Sequence, residues 1–113
     1  MASSARVLTA ADLGSGETSE LFHGRDHDVG VSFFLNHTPP GRGPAPHRHP
    51  YPEVFVLRGG EATFEVDGER LTAGAGHVIV VPAGAVHGFT NTGDEPLDLV
   101  SIHPVATMET EWM

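Results

Sequence analysis

The chain has 113 residues, a formal net charge of -9 with every one of its six basic residues an arginine, and no cysteine. That length suits one domain with a core of its own. The missing cysteines exclude disulfides, thiolate ligands and a cysteine nucleophile, the missing lysines exclude Schiff-base chemistry, and the acidic balance argues against a nucleic-acid partner.

Apolar residues make up 39%, with Gly 14 and Pro 9, an excess of turn-formers that favours many short strands over helices. The first residues, "MASSARVLTAADLG", contain no continuous apolar run of signal-peptide type, and no stretch reaches membrane-spanning length, so the expectation is a cytoplasmic protein with no membrane partner.

In chain order, residues 1–20 are small and polar apart from "ARVLTAADL", which reads equally as an edge strand or a short helical turn. "ELFHGRD" and "VGVSFFLN" read as two strands separated by a turn, with Val31, Phe33 and Leu35 on one face of the second. "HTPPGRGPAP" is a loop, because its prolines and glycines suit neither helix nor central strand.

"EATFEVDGERLTAG" is the clearest hairpin: Ala62, Phe64 and Val66 alternate with polar residues, and Asp67-Gly68 supplies the turn. "HVIVVPAGAVHGFTN" is a strand, a Pro-Ala-Gly turn and a second strand, and "LDLVSIHPV" is the last long strand. "TMETEWM" is a tail expected to pack Trp112 on the barrel or on a second subunit. Short strands at regular spacing, with no room for crossover helices, predict an all-β barrel or two-sheet sandwich.

Between the loop and the hairpin lies "APHRHPYPEVFVLRGG", where His47 and His49 share strand parity and can converge on one point. Glu53 follows beyond Pro50 and Pro52, whose bend leaves its direction open. His87 opens a later strand, after another tight turn. Three histidines and a carboxylate without a thiolate suit a first-row divalent ion with positions left for substrate. The same residues also read as a stiff surface turn and an ordinary strand-end histidine, and composition and spacing do not separate the two.

The order of these residues resembles the cupin family. Its first motif, G-x5-H-x-H-x3,4-E-x6-G, reads Gly41, His47, His49, Glu53 and Gly60 here. Its second, G-x5-P-x-G-x2-H-x3-N, reads Gly76, Pro82, Gly84, His87 and Asn91. Fifteen residues separate the two, as in compact microbial members.

The resemblance implies a single cupin domain over residues 1–113, folded as an all-β jelly-roll barrel of two antiparallel sheets. It implies one divalent metal ion (iron, manganese, nickel, zinc or copper) held by His47, His49, Glu53 and His87. Gly41, Gly60 and Gly84 become turn residues, and Asn91 a turn-stabilising residue rather than a ligand. A homodimer follows, in which residues around Ala5 to Leu13 are the piece to exchange.

Phe55, Leu57 and Phe89 are expected to line or floor the pocket. Tyr51 and His103 are secondary candidates for proton chemistry, with exposed-turn and strand-end readings beside them. His23, His27, His37 and His77 are expected at the surface. No serine stands in a nucleophile elbow and no glycine pattern resembles a phosphate loop, so any chemistry belongs to the metal. The expected function is metal-dependent, dioxygenase-type oxidation of a small organic substrate. The alternatives are a metal-dependent isomerase, epimerase or cyclase, and a ligand-binding module without catalysis.

Overall fold

The computed structural model describes residues 5–113; Met1 to Ser4, the start of the segment expected to exchange between subunits, lie outside the described residues. Two antiparallel sheets face each other. The larger orders its strands β1 (Gly14–Ser15), β2 (Ser19–Phe22), β3 (Ser32–Thr38), β10 (Leu97–His103), β5 (Glu53–Gly59) and β8 (Val78–Val81). The smaller orders β11 (Glu111–Trp112), β4 (His47–Arg48), β9 (His87–Asn91), β6 (Glu61–Val66) and β7 (Glu69–Gly74). This is the jelly-roll arrangement expected, although the two sheets are not joined by strand pairing into a closed barrel.

The β6–β7 hairpin forms where the alternation placed it. Asp67 (φ 48°) and Gly68 (φ 83°) both take left-handed conformations, which matches the twist of a two-residue hairpin turn. Gly60 turns the chain from β5 in one sheet to β6 in the other at φ 83°, and a Cβ there would lie 2.9 Å from the Pro96 carbonyl oxygen. Gly43 is equally constrained, because the loop before β4 crosses so close to β9 that a Cβ would overlap the Phe89 carbonyl.

The ambiguous "ARVLTAADL" contains a single 3-10 turn at Ala10–Asp12, closed by Asp12 accepting from the Thr9 backbone N–H and hydroxyl. Val7 is 94% exposed, so this segment contributes nothing to the core. "ELFHGRD" stays extended only to Phe22, then enters a second 3-10 turn at Gly24–His27. In β3 the predicted alternation holds, but Phe33 and Leu35 face outward, and Val31 lies just before the strand. Ser32, Phe34, Asn36 and Thr38 take the inner positions, because there the interior is a partly polar cavity rather than the core.

The interior divides along the strands. At one end Leu57, Leu97, Leu99, Ala62 and Phe64 are almost fully buried. Phe55 from β5, Phe64 from β6 and Phe89 from β9 stack beneath the other end, with ring centroids 5.0–5.8 Å apart. Edge-to-face and tilted packing of this kind adds about 0.5–1.5 kcal/mol per pair to area burial. Beyond these rings the inner positions turn polar: Glu53 follows Phe55 on β5, while Ser101 and His103 follow Leu99 on β10.

Candidate metal centre

The polar end collects residues from both sheets. His47 pairs directly with His87 across β4 and β9 in the smaller sheet. Pro50-Tyr51-Pro52 then carries the chain over to the larger sheet, where Glu53 opens β5 opposite Val81. The Pro-Ala-Gly turn that follows Val81 is tied back to the first motif, since the Gly84 N–H donates to the His49 carbonyl at 2.8 Å. The two motifs therefore meet through backbone hydrogen bonds as well as through their side chains.

His47, His49, Glu53 and His87 are all buried, and each offers a ligand atom within 4.8 Å of the others. Each histidine has its Nδ1 against a backbone carbonyl: Ala45 for His47 at 2.7 Å, Glu109 for His49 at 2.7 Å, and Ala85 for His87 at 2.9 Å. A carbonyl only accepts, so each Nδ1 carries a proton and each Nε2 is free to present a lone pair inward.

Glu53 Oε1 lies 3.0 Å from His49 Nε2 and 2.9 Å from His87 Nε2. The His49 contact is close but out of hydrogen-bond alignment, which leaves this buried nitrogen without a hydrogen-bond partner. Acceptors crowded this tightly away from water call for a cation among them. Three imidazoles and one carboxylate fit a divalent transition-metal ion of iron, manganese, nickel, zinc or copper type.

Burial would raise the Glu53 pKa, but contacts with His103, His49 and His87 outweigh it and hold the carboxyl well below its usual range. Burial depresses the His47 pKa, favouring the neutral ring a metal requires. His49 is raised despite its burial, because the Glu53 carboxylate and the Glu109 carbonyl both favour the charged ring.

A cavity of about 370 Å³ opens over this group, reaching His47, His49 and Glu53. Phe55 and Phe89 line it as expected, whereas Leu57 belongs to the core below and does not reach it. Ser101 and Asn36 form a polar wall, and neither side chain has a hydrogen-bond partner among the described residues. Arg42 lines the cavity too, half-exposed and bonded to Glu17 at 2.6 Å.

Asn91 is structural, donating from Nδ2 to the Thr38 and Glu95 carbonyls while its Oδ1 accepts the Gly93 N–H. Tyr51, in the bend between β4 and β5, and His103, the last residue of β10, both stand at the site: the Tyr51 hydroxyl lies 2.9 Å from His103 Nδ1. The other four histidines lie elsewhere. His37 pairs with Glu20, and the exposed His77 accepts the Gly74 N–H, whereas His23 and His27 are half-buried, not surface residues, the latter stacked on Phe22.

The C-terminal tail contributes more than its sequence announced. It forms β11 against β4, sets Trp112 4.8 Å from the His47 ring and supplies the carbonyl that orients His49. A backbone acceptor leaves no residue signature, so sequence could not have identified that role.

A family model described as "Cupin domain" matches residues 34–103. Gentisate 1,2 dioxygenase 1 of Aquipseudomonas alcaligenes is 39% identical over 59 residues, 51% of this chain and 17% of that protein. Polyketide synthase CurC of Streptomyces cyaneus is 36% identical over 62 residues, 54% of this chain and 40% of that protein. An oxalate decarboxylase structure from Bacillus subtilis superposes with a TM-score of 0.75 at 25% identity, over 86% of this chain and 28% of that one. This chain thus spans less than half the length of the relatives it matches. The family match runs from β3 to the end of β10 and takes in both motifs and all four clustered side chains: the chain belongs to the cupin family.

Proposed function

We propose that His47, His49, Glu53 and His87 bind one divalent transition-metal ion, and that the chain uses it for dioxygenase-type oxidation of a small organic molecule. The observation that carries this reading is the convergence of four buried donors beneath an open cavity. The resemblance to a gentisate dioxygenase over 59 residues supports the reaction class.

When bound, the ion supplies a polarising charge and, if redox-active, electron exchange with dioxygen. The chain's own residues do the rest. Phe55 and Phe89 offer an apolar floor for a flat substrate body and keep water from it, while Ser101 and Asn36 offer hydrogen bonds that orient its polar groups. Oxygen consumption by the metal-loaded chain, read against a panel of small phenols, diketones and hydroxy acids, tests the proposal. We expect substrate-dependent uptake. Turnover under strict anaerobiosis would favour the isomerase or cyclase reading, and saturable binding without turnover would favour a binding module.

We further propose that the chain is a homodimer paired through the outer face of the larger sheet. Outward positions on five adjacent strands are apolar: Phe22; Phe33 and Leu35; Val100 and Ile102; Val54 and Val56; Val78 and Val80. Val78 and Val80 are 58% and 66% exposed, at the edge where such a patch would otherwise meet water. Light scattering should give twice the chain mass, and Val80→Glu should shift it toward the monomer. A wild-type monomer at micromolar concentration would refute the pairing.

A further inference from the structure

Glu53 has two carboxylate oxygens, and the structure gives them different neighbours. Oε1 faces His49 and His87. Oε2 faces His103 on β10, whose Nε2 lies 3.3 Å away. His103 is 3% exposed and stands outside the group of four whose ligand atoms all lie within 4.8 Å of one another.

The two nitrogens of His103 have different partners. Tyr51 Oη lies 2.9 Å from His103 Nδ1, and the same oxygen accepts the Glu109 backbone N–H at 3.4 Å. An ionised Glu53 Oε2 only accepts, so the facing Nε2 is the nitrogen that carries the His103 proton, and Nδ1 accepts the phenolic proton of Tyr51. Nε2 is buried, and its 3.3 Å contact with Oε2 lacks hydrogen-bond alignment. The terminal torsion of the carboxylate is soft, and rotation about it is the motion that would bring the two into line.

We propose that His103, held by Tyr51, is a positioning residue that engages Glu53 Oε2, so that Glu53 meets the metal through Oε1 alone. The inference rests on the metal-binding reading of the four residues. Its consequence is a coordination sphere in which the second carboxylate oxygen does not occupy a position that substrate needs. The Glu109 backbone amide extends the same chain of contacts into the C-terminal tail, which also orients His49 through the Glu109 carbonyl.

The test is Co(II) titration of the full chain, followed by visible absorption and X-ray absorption of the loaded protein. For His103→Ala we expect Co(II) affinity to fall about 10–100-fold, as for other partners that orient a ligand. We also expect a changed d–d spectrum, as the freed carboxylate swings to two-oxygen binding. Tyr51→Phe should move both readouts in the same direction but less, and His103→Gln, which keeps a donor amide, should restore them in part. Should His103→Ala fail to fold, Tyr51→Phe carries the test, because it removes a single oxygen from a half-buried ring.

Unchanged affinity and spectrum in the folded variants would overturn the inference while leaving the metal centre intact. Four imidazole nitrogens on wild-type Co(II), falling to three in His103→Ala, would also overturn it by making His103 a ligand. No Co(II) uptake by the wild-type chain would overturn the metal centre and this inference together.

Discussion

His87→Ala should lower divalent-metal affinity by on the order of 10³-fold, which is about 4 kcal/mol at 1.4 kcal/mol per tenfold. His87 is 2% exposed and reaches the centre from β9, directly opposite His47. Its Nδ1–H is held by the Ala85 carbonyl of its own turn, which fixes the ring with Nε2 toward Glu53. The loss has a second part. Glu53 is buried with His87 Nε2 only 2.9 Å from its Oε1, so the variant also opens a gap beside the carboxylate. His37→Ala is the matched control: that ring is exposed and pairs with Glu20 away from the centre, and its loss should leave metal binding unchanged. Isothermal titration with Co(II) or Mn(II) measures both. Equal losses in the two variants would show that the effect is general rather than local to the site.

Phe64→Ala should destabilise the fold by about 3–5 kcal/mol, the range for deleting a fully buried aromatic ring. Phe64 is 0% exposed and packs on Phe55 and Phe89 at once, with centroids 5.0 and 5.2 Å away. Those two rings come from different sheets, so Phe64 helps hold the sheets together directly under the cavity. The cavity left by alanine would let Phe55 and Phe89 settle downward and enlarge the pocket floor. Urea denaturation of the metal-free protein gives the energy without a contribution from metal binding. A change under about 1 kcal/mol would mean that the sheets are held elsewhere.

The hairpin, the turns and the fold class were legible in the sequence because each rests on local chemistry. Asp67-Gly68 demands a left-handed turn, and alternation around Phe64 assigns one face to the core. The four clustered side chains were legible as a set only through the spacing shared with cupins. From the residues alone, the prolines around Tyr51 left Glu53 undirected. The structure supplies the reason: Pro50-Tyr51-Pro52 is the passage between sheets, so strand parity does not apply across it.

Other features depend on contacts distant in sequence. The outward phase of Phe33 and Leu35 is set by what lies inside β3, a cavity wall rather than packed core. His103 and Tyr51 are 52 positions apart, and only the adjacency of β10 and β5 brings them together. The tail became a strand through pairing with β4, and a run such as "TMETEWM" has no alternation that would announce it.

The most direct measurement of the central claim is metal content, with X-ray absorption of the bound ion, on freshly purified protein expressed in metal-supplemented medium. The account predicts one divalent transition-metal ion per chain, bound only through nitrogen and oxygen, with three imidazoles in its first shell. Protein that remains metal-free under these conditions, or an ion retained in full by His87→Ala, would contradict it.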